Sequence, residues 1–174
     1  MKSQQSTQTN TGARAQSVAL AFVVPMLVII VLDRITKTLV DSAGYAVNQL
    51  IAGPFLGLLQ IRLVHNQGAA WGIFSDSTFV LGLFSFVLSA AIVLFVVFFK
   101  KELTLVQVAF LGMVVAGGIG NGFDRLVYGY VVDFIETAFM DFPVFNIADI
   151  GITCGIFIFA LLFCLQEFKK DGNK

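Results

Sequence analysis

Four apolar stretches, each about as long as a bilayer is thick, fix what this chain can fold into. They run from Ser17 to about Val40, Ser77 to Phe99, Leu103 to about Phe123 and Val144 to about Gln166, and a membrane-spanning helix needs roughly 20 apolar residues. Only 13% of the residues are charged, against about 25% in soluble domains. The reading is an all-α membrane protein of four transmembrane helices with a small extracytoplasmic β-sheet or cradle. No basic block suggests nucleic acid as a partner.

The first stretch has a basic lead (Lys2, Arg14) and a 15-residue apolar run from Val18 to Leu32, as a cleaved signal peptide would. The run continues into LDRITK with helical spacing and no small-residue cleavage site follows, so a retained helix is expected. Residues 1–16 read as a disordered polar leader, 17–168 as a single transmembrane catalytic domain, and 169–174 as a tail.

Orientation follows from Lys and Arg placement. Leader, KKE turn and tail hold seven (Lys2, Arg14, Lys100, Lys101, Lys169, Lys170, Lys174) with three acids, a net +4. The other side holds four (Arg34, Lys37, Arg62, Arg125) with eight acids, a net −4. Both termini are therefore expected in the cytoplasm, with the carboxylates at the outer face. There, residues 41–76 carry PFLG, which reads as a turn, and LQIRLVH, which alternates like a half-buried strand. The second outer segment, about 126–143, is expected to rest in the interface.

A charge at the centre of a membrane helix costs roughly 2.5 to 3.5 kcal/mol, so it faces protein or a wet cavity. Asp33 and Lys37 are four apart near the outer end of the first helix. Asn121 and Asp124 are three apart in the third helix with Arg125 beside them, and Asn146 and Asp149 three apart at the start of the fourth. These spacings put each pair on one helical face. Gly118 and Gly122, and Gly151 and Gly155, have the small-residue spacing that lets membrane helices approach closely. The third and fourth helices are thus expected to be neighbours.

The plainest reading of Asp33 with Lys37, and of Asp124 with Arg125 or another base, is a set of scaffold ion pairs. Asp133 in VVDF and Asp149 in NIAD lack an adjacent base. Spacing alone leaves them open between a wet loop residue, a first-turn helix carboxylate and a functional pair. By default Asn66 is a turn residue and His65 an exposed strand end. Cys154 and Cys164 read as buried apolar thiols, since their spacing fits no metal site.

Two converging carboxylates share one proton. The ionised member can activate water while the protonated one polarises a carbonyl, which is peptide hydrolysis without metal or cofactor. One histidine leaves most triads unsupplied. A small transporter and a purely structural scaffold are the competing classes, but the polar residues gather at one face and do not line a full path.

Five segments, LDRITK (32–37), HNQGAAWG (65–72), GGIGNGFDR (117–125), VVDF (131–134) and FNIAD (145–149), in this order, resemble lipoprotein signal peptidase (signal peptidase II), the bacterial aspartyl membrane peptidase. The resemblance implies a catalytic pair, Asp133 and Asp149, with Asn66, Asn121, Asp124, Arg125, Asn146, Asp33 and Lys37 as supporting residues and no metal or cofactor. It implies a monomer in the bacterial inner membrane, among membrane lipids. The implied substrates are prolipoproteins carrying diacylglycerol on the lipobox cysteine, cleaved just before it, with inhibition by globomycin. Arg34, His65 and Ile150 depart from the family's pattern. The Leu58–His65 segment is expected to hold the signal peptide by edge pairing.

Overall fold

The computed structural model describes residues 2–68 and 77–171, with side chains from residue 12 onward. Residues 69–72 of HNQGAAWG, and Asp76 and Lys174 of the charge count, lie outside the described residues.

The four apolar stretches are four helices, α1 (Lys2–Asp41), α2 (Thr78–Phe99), α3 (Leu105–Val127) and α4 (Ile147–Asp171), all long and apolar enough to cross a membrane. Large apolar side chains such as Leu20, Phe79, Phe98 and Phe157 stand exposed on their outer faces, as lipid-facing positions do. The expected disordered leader is instead helical from Lys2. Once the apolar run has formed the helix, each further residue adds a hydrogen bond at little cost. Arg14 also ties this end down, its Nη2 donating to the carbonyls of Lys100, Lys101 and Leu103 at 3.2 to 3.4 Å.

Helix α3 is the axis of the bundle: 61% of its most apolar window is buried, against 17% or less in the other three. Glycines allow that centrality. A Cβ on Gly117 would collide with the Ala148 carbonyl oxygen, and one on Gly155 would stand 2.7 Å from that of Phe110. Gly151 and Gly155 do pack on α3 as their spacing predicts. Gly118 and Gly122, however, turn towards Ser85, Phe86 and Ser89 of α2. Adjacent Gly117 makes the close approach to α4, because one residue along a helix turns the face by about 100°.

Outside the spans lies an antiparallel three-stranded sheet, ordered β1 (Leu50–Phe55), β2 (Leu59–Asn66), β3 (Val131–Thr137). The expected strand is β2, but it is central and paired on both sides, so it has no free edge for a peptide. Within the second outer segment, VVDF opens the strand β3. Its residues Val131 to Phe134 are all buried, which removes the alternation that marks a half-exposed strand. Three residues, with Gly129 at φ +78°, turn the chain from α3 into β3. This short link hangs the sheet on the end of α3.

Candidate active site

The site forms where β2, β3, the end of α3 and the start of α4 meet. Asn146 precedes α4 and caps it: its Oδ1 accepts the Asp149 backbone N–H at 3.0 Å, and Asp149 Oδ2 accepts the Asn146 backbone N–H at 3.0 Å. This is the reciprocal geometry of a capping box, with Asp in place of Glu. Asp33 Oδ1 accepts the Ala148 N–H at 3.0 Å, so α1 satisfies another orphan donor of the same turn.

With its oxygen committed to the cap, the Asn146 amide must turn its NH2 the other way. It donates to Asp133 Oδ1 at 2.6 Å. Asp133 Oδ2 accepts from Asn66 Nδ2 at 2.8 Å. Asn66 is paired with Val131 across the ladder, which makes Asp133 its diagonal neighbour, within side-chain reach. Asp149 Oδ1 accepts from Asn121 Nδ2 at 2.8 Å. All four oxygens of Asp133 and Asp149 therefore receive an asparagine N–H, one from a backbone and three from side chains.

Asp133 is a strand residue, 2% exposed, where a wet loop position was the plain reading. Burial first, and the charge of Asp149 second, push its carboxyl up to about 7; the amides of Asn66 and Asn146, and Lys37, pull the other way.

Behind Asn121 sits a charge cluster. Lys37 Nζ is 2.8 Å from Asp33 Oδ2 and 2.8 Å from Asp124 Oδ2, and it donates to Asn121 Oδ1 at 2.8 Å. Asp124 pairs with Arg34 at 2.6 Å and with Lys37, not with its neighbour Arg125. Arg34 also lies over the Phe123 ring, 5.2 Å from its centroid. Arg125 points to the site instead, its Nη2 donating to the Gly68 carbonyl at 3.1 Å.

A cavity of about 440 Å³ has Asp133 and Asp149 in its wall together with Asn66, Asn121 and Arg125. Its apolar side is made by Phe142 to Phe145, Ile150 and Cys154. Of the residues named from sequence, Asp133, Asp149, Asn66, Asn121, Arg125 and Asn146 converge here, while Asp33, Lys37 and Asp124 form the cluster behind. Cys154 and Cys164 are exposed on α4, since both fall on faces that no other helix covers. His65 is not a free strand end: it stacks on Tyr130 at 3.9 Å and its Nε2 lies 2.6 Å from Asp41 Oδ1. Sequence reasoning missed the apolar wall and the Asp41–His65–Tyr130 contact, because segments far apart in sequence build them.

Residues 25–165 match the family model for signal peptidase (SPase) II. The chain is similar to the lipoprotein signal peptidase of Clostridium acetobutylicum, 34% identical over 148 residues that make up 83% of this chain and 94% of that one. It is 40% identical to the lipoprotein signal peptidase of Caulobacter vibrioides over 124 residues, 70% of this chain and 71% of the relative. A bacterial membrane enzyme solved by the in meso method at 2.3 Å is similar with a TM-score of 0.67 and 27% identity, covering 90% of this chain and 91% of that one.

Proposed function

This chain belongs to the signal peptidase II family, and from that premise we propose that it is an aspartyl endopeptidase in which Asp133 and Asp149 activate the water that cleaves prolipoproteins before the lipidated cysteine. Membership makes it a multi-pass membrane peptidase acting on prolipoprotein signal peptides. The finer reading adds a diacylglyceryl-modified substrate, a monomeric catalytic unit over 17–168, cytoplasmic termini and a site at the outer face.

One observation carries the reading: two carboxylates share one cavity wall, each held on both oxygens by asparagine N–H groups. Fixed donors leave a carboxylate pair little freedom to reorient, and preorganisation of this kind lowers a barrier. The ionised carboxylate takes a proton from water as the oxygen attacks the scissile carbonyl carbon. The protonated carboxyl donates to the carbonyl oxygen. The tetrahedral intermediate then collapses: its former carbonyl oxygen gives its proton back to the carboxylate that supplied it, the C–N bond breaks, and the proton taken from water passes to the amine of the cysteine.

The apolar side of the cavity suits a substrate whose acyl chains stay in the bilayer. A scissile bond just before the lipidated cysteine then lies at the depth of the α4 N-terminus, and the anchor need not leave the membrane.

The test is cleavage of a diacylglyceryl-modified precursor by purified protein in lipid. Asp133→Asn and Asp149→Asn are each expected to lose about 10²-fold or more of the rate. Full activity in either variant removes that residue from the chemistry.

A further inference from the structure

The dyad reading leaves open which carboxyl carries the shared proton, and the geometry behind Asn121 bears on it. An ammonium group has three donors and no acceptor. Lys37 is 1% exposed; its Nζ lies 2.8 Å from Asp33 Oδ2 and from Asp124 Oδ2 as ion pairs, and it donates a hydrogen bond to Asn121 Oδ1 at 2.8 Å. Two carboxylates suffice for a scaffold pair. The third contact reaches towards the site.

That contact removes a freedom. An asparagine amide can present oxygen or nitrogen to a neighbour, and here Lys37 at 2.8 Å allows only the orientation with Oδ1 towards it, an orientation that Asn146 Nδ2 supports by donating to the same oxygen at 3.1 Å. The NH2 of Asn121 is thereby turned to Asp149 Oδ1 at 2.8 Å. A flipped amide would set oxygen against carboxylate, an arrangement tolerated only if Asp149 takes a proton. Asp149 is also in the first turn of α4, where the helix end favours negative charge. Asp133 lacks the helix end: it lies on β3, and its donors are the amides of Asn66 and Asn146, the second of them fixed by the α4 cap.

We infer that Lys37, acting through Asn121, is a positioning residue that keeps Asp149 as the ionised member of the pair and leaves the proton on Asp133. This rests on the proposed dyad. The position of Asp133, whose carboxyl is raised to about 7 in part by the charge of Asp149, agrees with it. The charged groups around Asp149 are Lys37 and Asp33 from α1, Asp124 and Arg125 from α3, and Asp133 from β3.

The test is the pH profile of kcat in lipid, with four proteins beside wild type. Asn121→Ala keeps the ion pairs of Lys37 and removes the donor to Asp149 together with the oxygen that Lys37 and Asn146 share; its acid limb is expected to move up by about one pH unit, with KM within about twofold. The charge-balanced Asp33→Asn/Lys37→Met variant is expected to shift in the same direction by a smaller amount, because Asn146 still holds Asn121 Oδ1. Adding Asn121→Ala to that variant should bring the limb only to where Asn121→Ala alone puts it. An unmoved acid limb in Asn121→Ala overturns the inference even if the Lys37 variant does not fold, and so does a shift in the triple variant that sums the two. Asp149→Asn, the fourth protein, separates the two failures: if it still cleaves, the dyad itself is wrong, whereas an inactive Asp149→Asn beside an unmoved limb rejects Lys37 alone.

Discussion

Asn146 and Asp149 cap each other across the first turn of α4, each accepting the other's backbone N–H at 3.0 Å. The cap fixes the Asn146 amide, whose free end holds Asp133. One asparagine thus has a structural and a site contact on opposite sides of its amide. The two separate by substitution. Asn146→Ser keeps a cap acceptor but cannot reach Asp133, so it should lose about 10²-fold in rate while costing stability well under that of Asn146→Ala. Loss of an N-cap oxygen is worth about 1 kcal/mol. Thermal unfolding in detergent, read beside the cleavage rate, tells the two apart; equal stability in the two variants would show that the cap contributes nothing.

Asp133 should destabilise the protein as pH rises. Its carboxyl is raised from 3.8 to about 7 in the folded state, so between those values the folded protein binds more protons than the unfolded one. Stability therefore falls as pH goes from about 4 to about 7 and levels off above. Asp133→Asn removes this dependence. At pH 8 the variant should be more stable than wild type by up to about 4 kcal/mol, because each pH unit between the unfolded and folded values costs about 1.36 kcal/mol. Near pH 4 the two should unfold together. Melting temperatures at the two pH values decide it, and a variant less stable than wild type at pH 8 would mean that the carboxylate, not the acid, is the form the fold prefers.

How far this was legible in sequence depended on whether the signal was local. The spans were visible because hydropathy over about 20 residues needs no partner, and the polar faces because i,i+3 and i,i+4 spacing is set by the helix itself. Strand β3 was not, since Val131 to Phe134 are buried on both faces and carry no alternation. The partner of Asp124 stayed open between Arg125 and another base for the same kind of reason. Arg125 is next in sequence but projects about 100° around the helix, while Arg34 arrives from 90 residues away. Gly117 against Gly118 is a difference of rotation that spacing alone does not resolve.

Asp124 gives the clearest separation of folding from chemistry. It is fully buried and lies between Arg34 and Lys37, and it is absent from the cavity wall. Asp124→Asn leaves two cations facing one carboxylate, Asp33, and breaking a buried pair from one side costs about 3–5 kcal/mol. The yield of folded protein and its melting temperature should drop, while the folded fraction keeps its rate to within about tenfold. Active-site titration with a tight inhibitor, combined with the rate, distinguishes fewer active molecules from slower ones. A full-strength fold with a rate down by about 10³ would move Asp124 into the reacting shell.

The last prediction concerns the distance between helices. Asn121 lies one turn beyond Gly117 on α3, and Asp149 follows Ala148, whose carbonyl oxygen is what a Cβ on Gly117 would strike. Backbone cannot swing aside as a side chain can, so Gly117→Ala must push the first turn of α4 away and lengthen the 2.8 Å contact from Asn121 to Asp149. At Gly118 the nearest atom is Ser89 Oγ, the end of a short side chain that can rotate, and the nearest backbone atom is 3.4 Å away. Gly118→Ala should therefore be tolerated within about 1 kcal/mol. Gly117→Ala should lose stability, by about 1–3 kcal/mol as overpacked cores do, and also about 10²-fold in rate, since misplacement by an ångström costs that much. The adjacent pair is its own control for helix propensity, because both changes replace glycine by alanine inside α3. If the two variants behave alike, the approach of α4 to α3 does not set the position of Asp149.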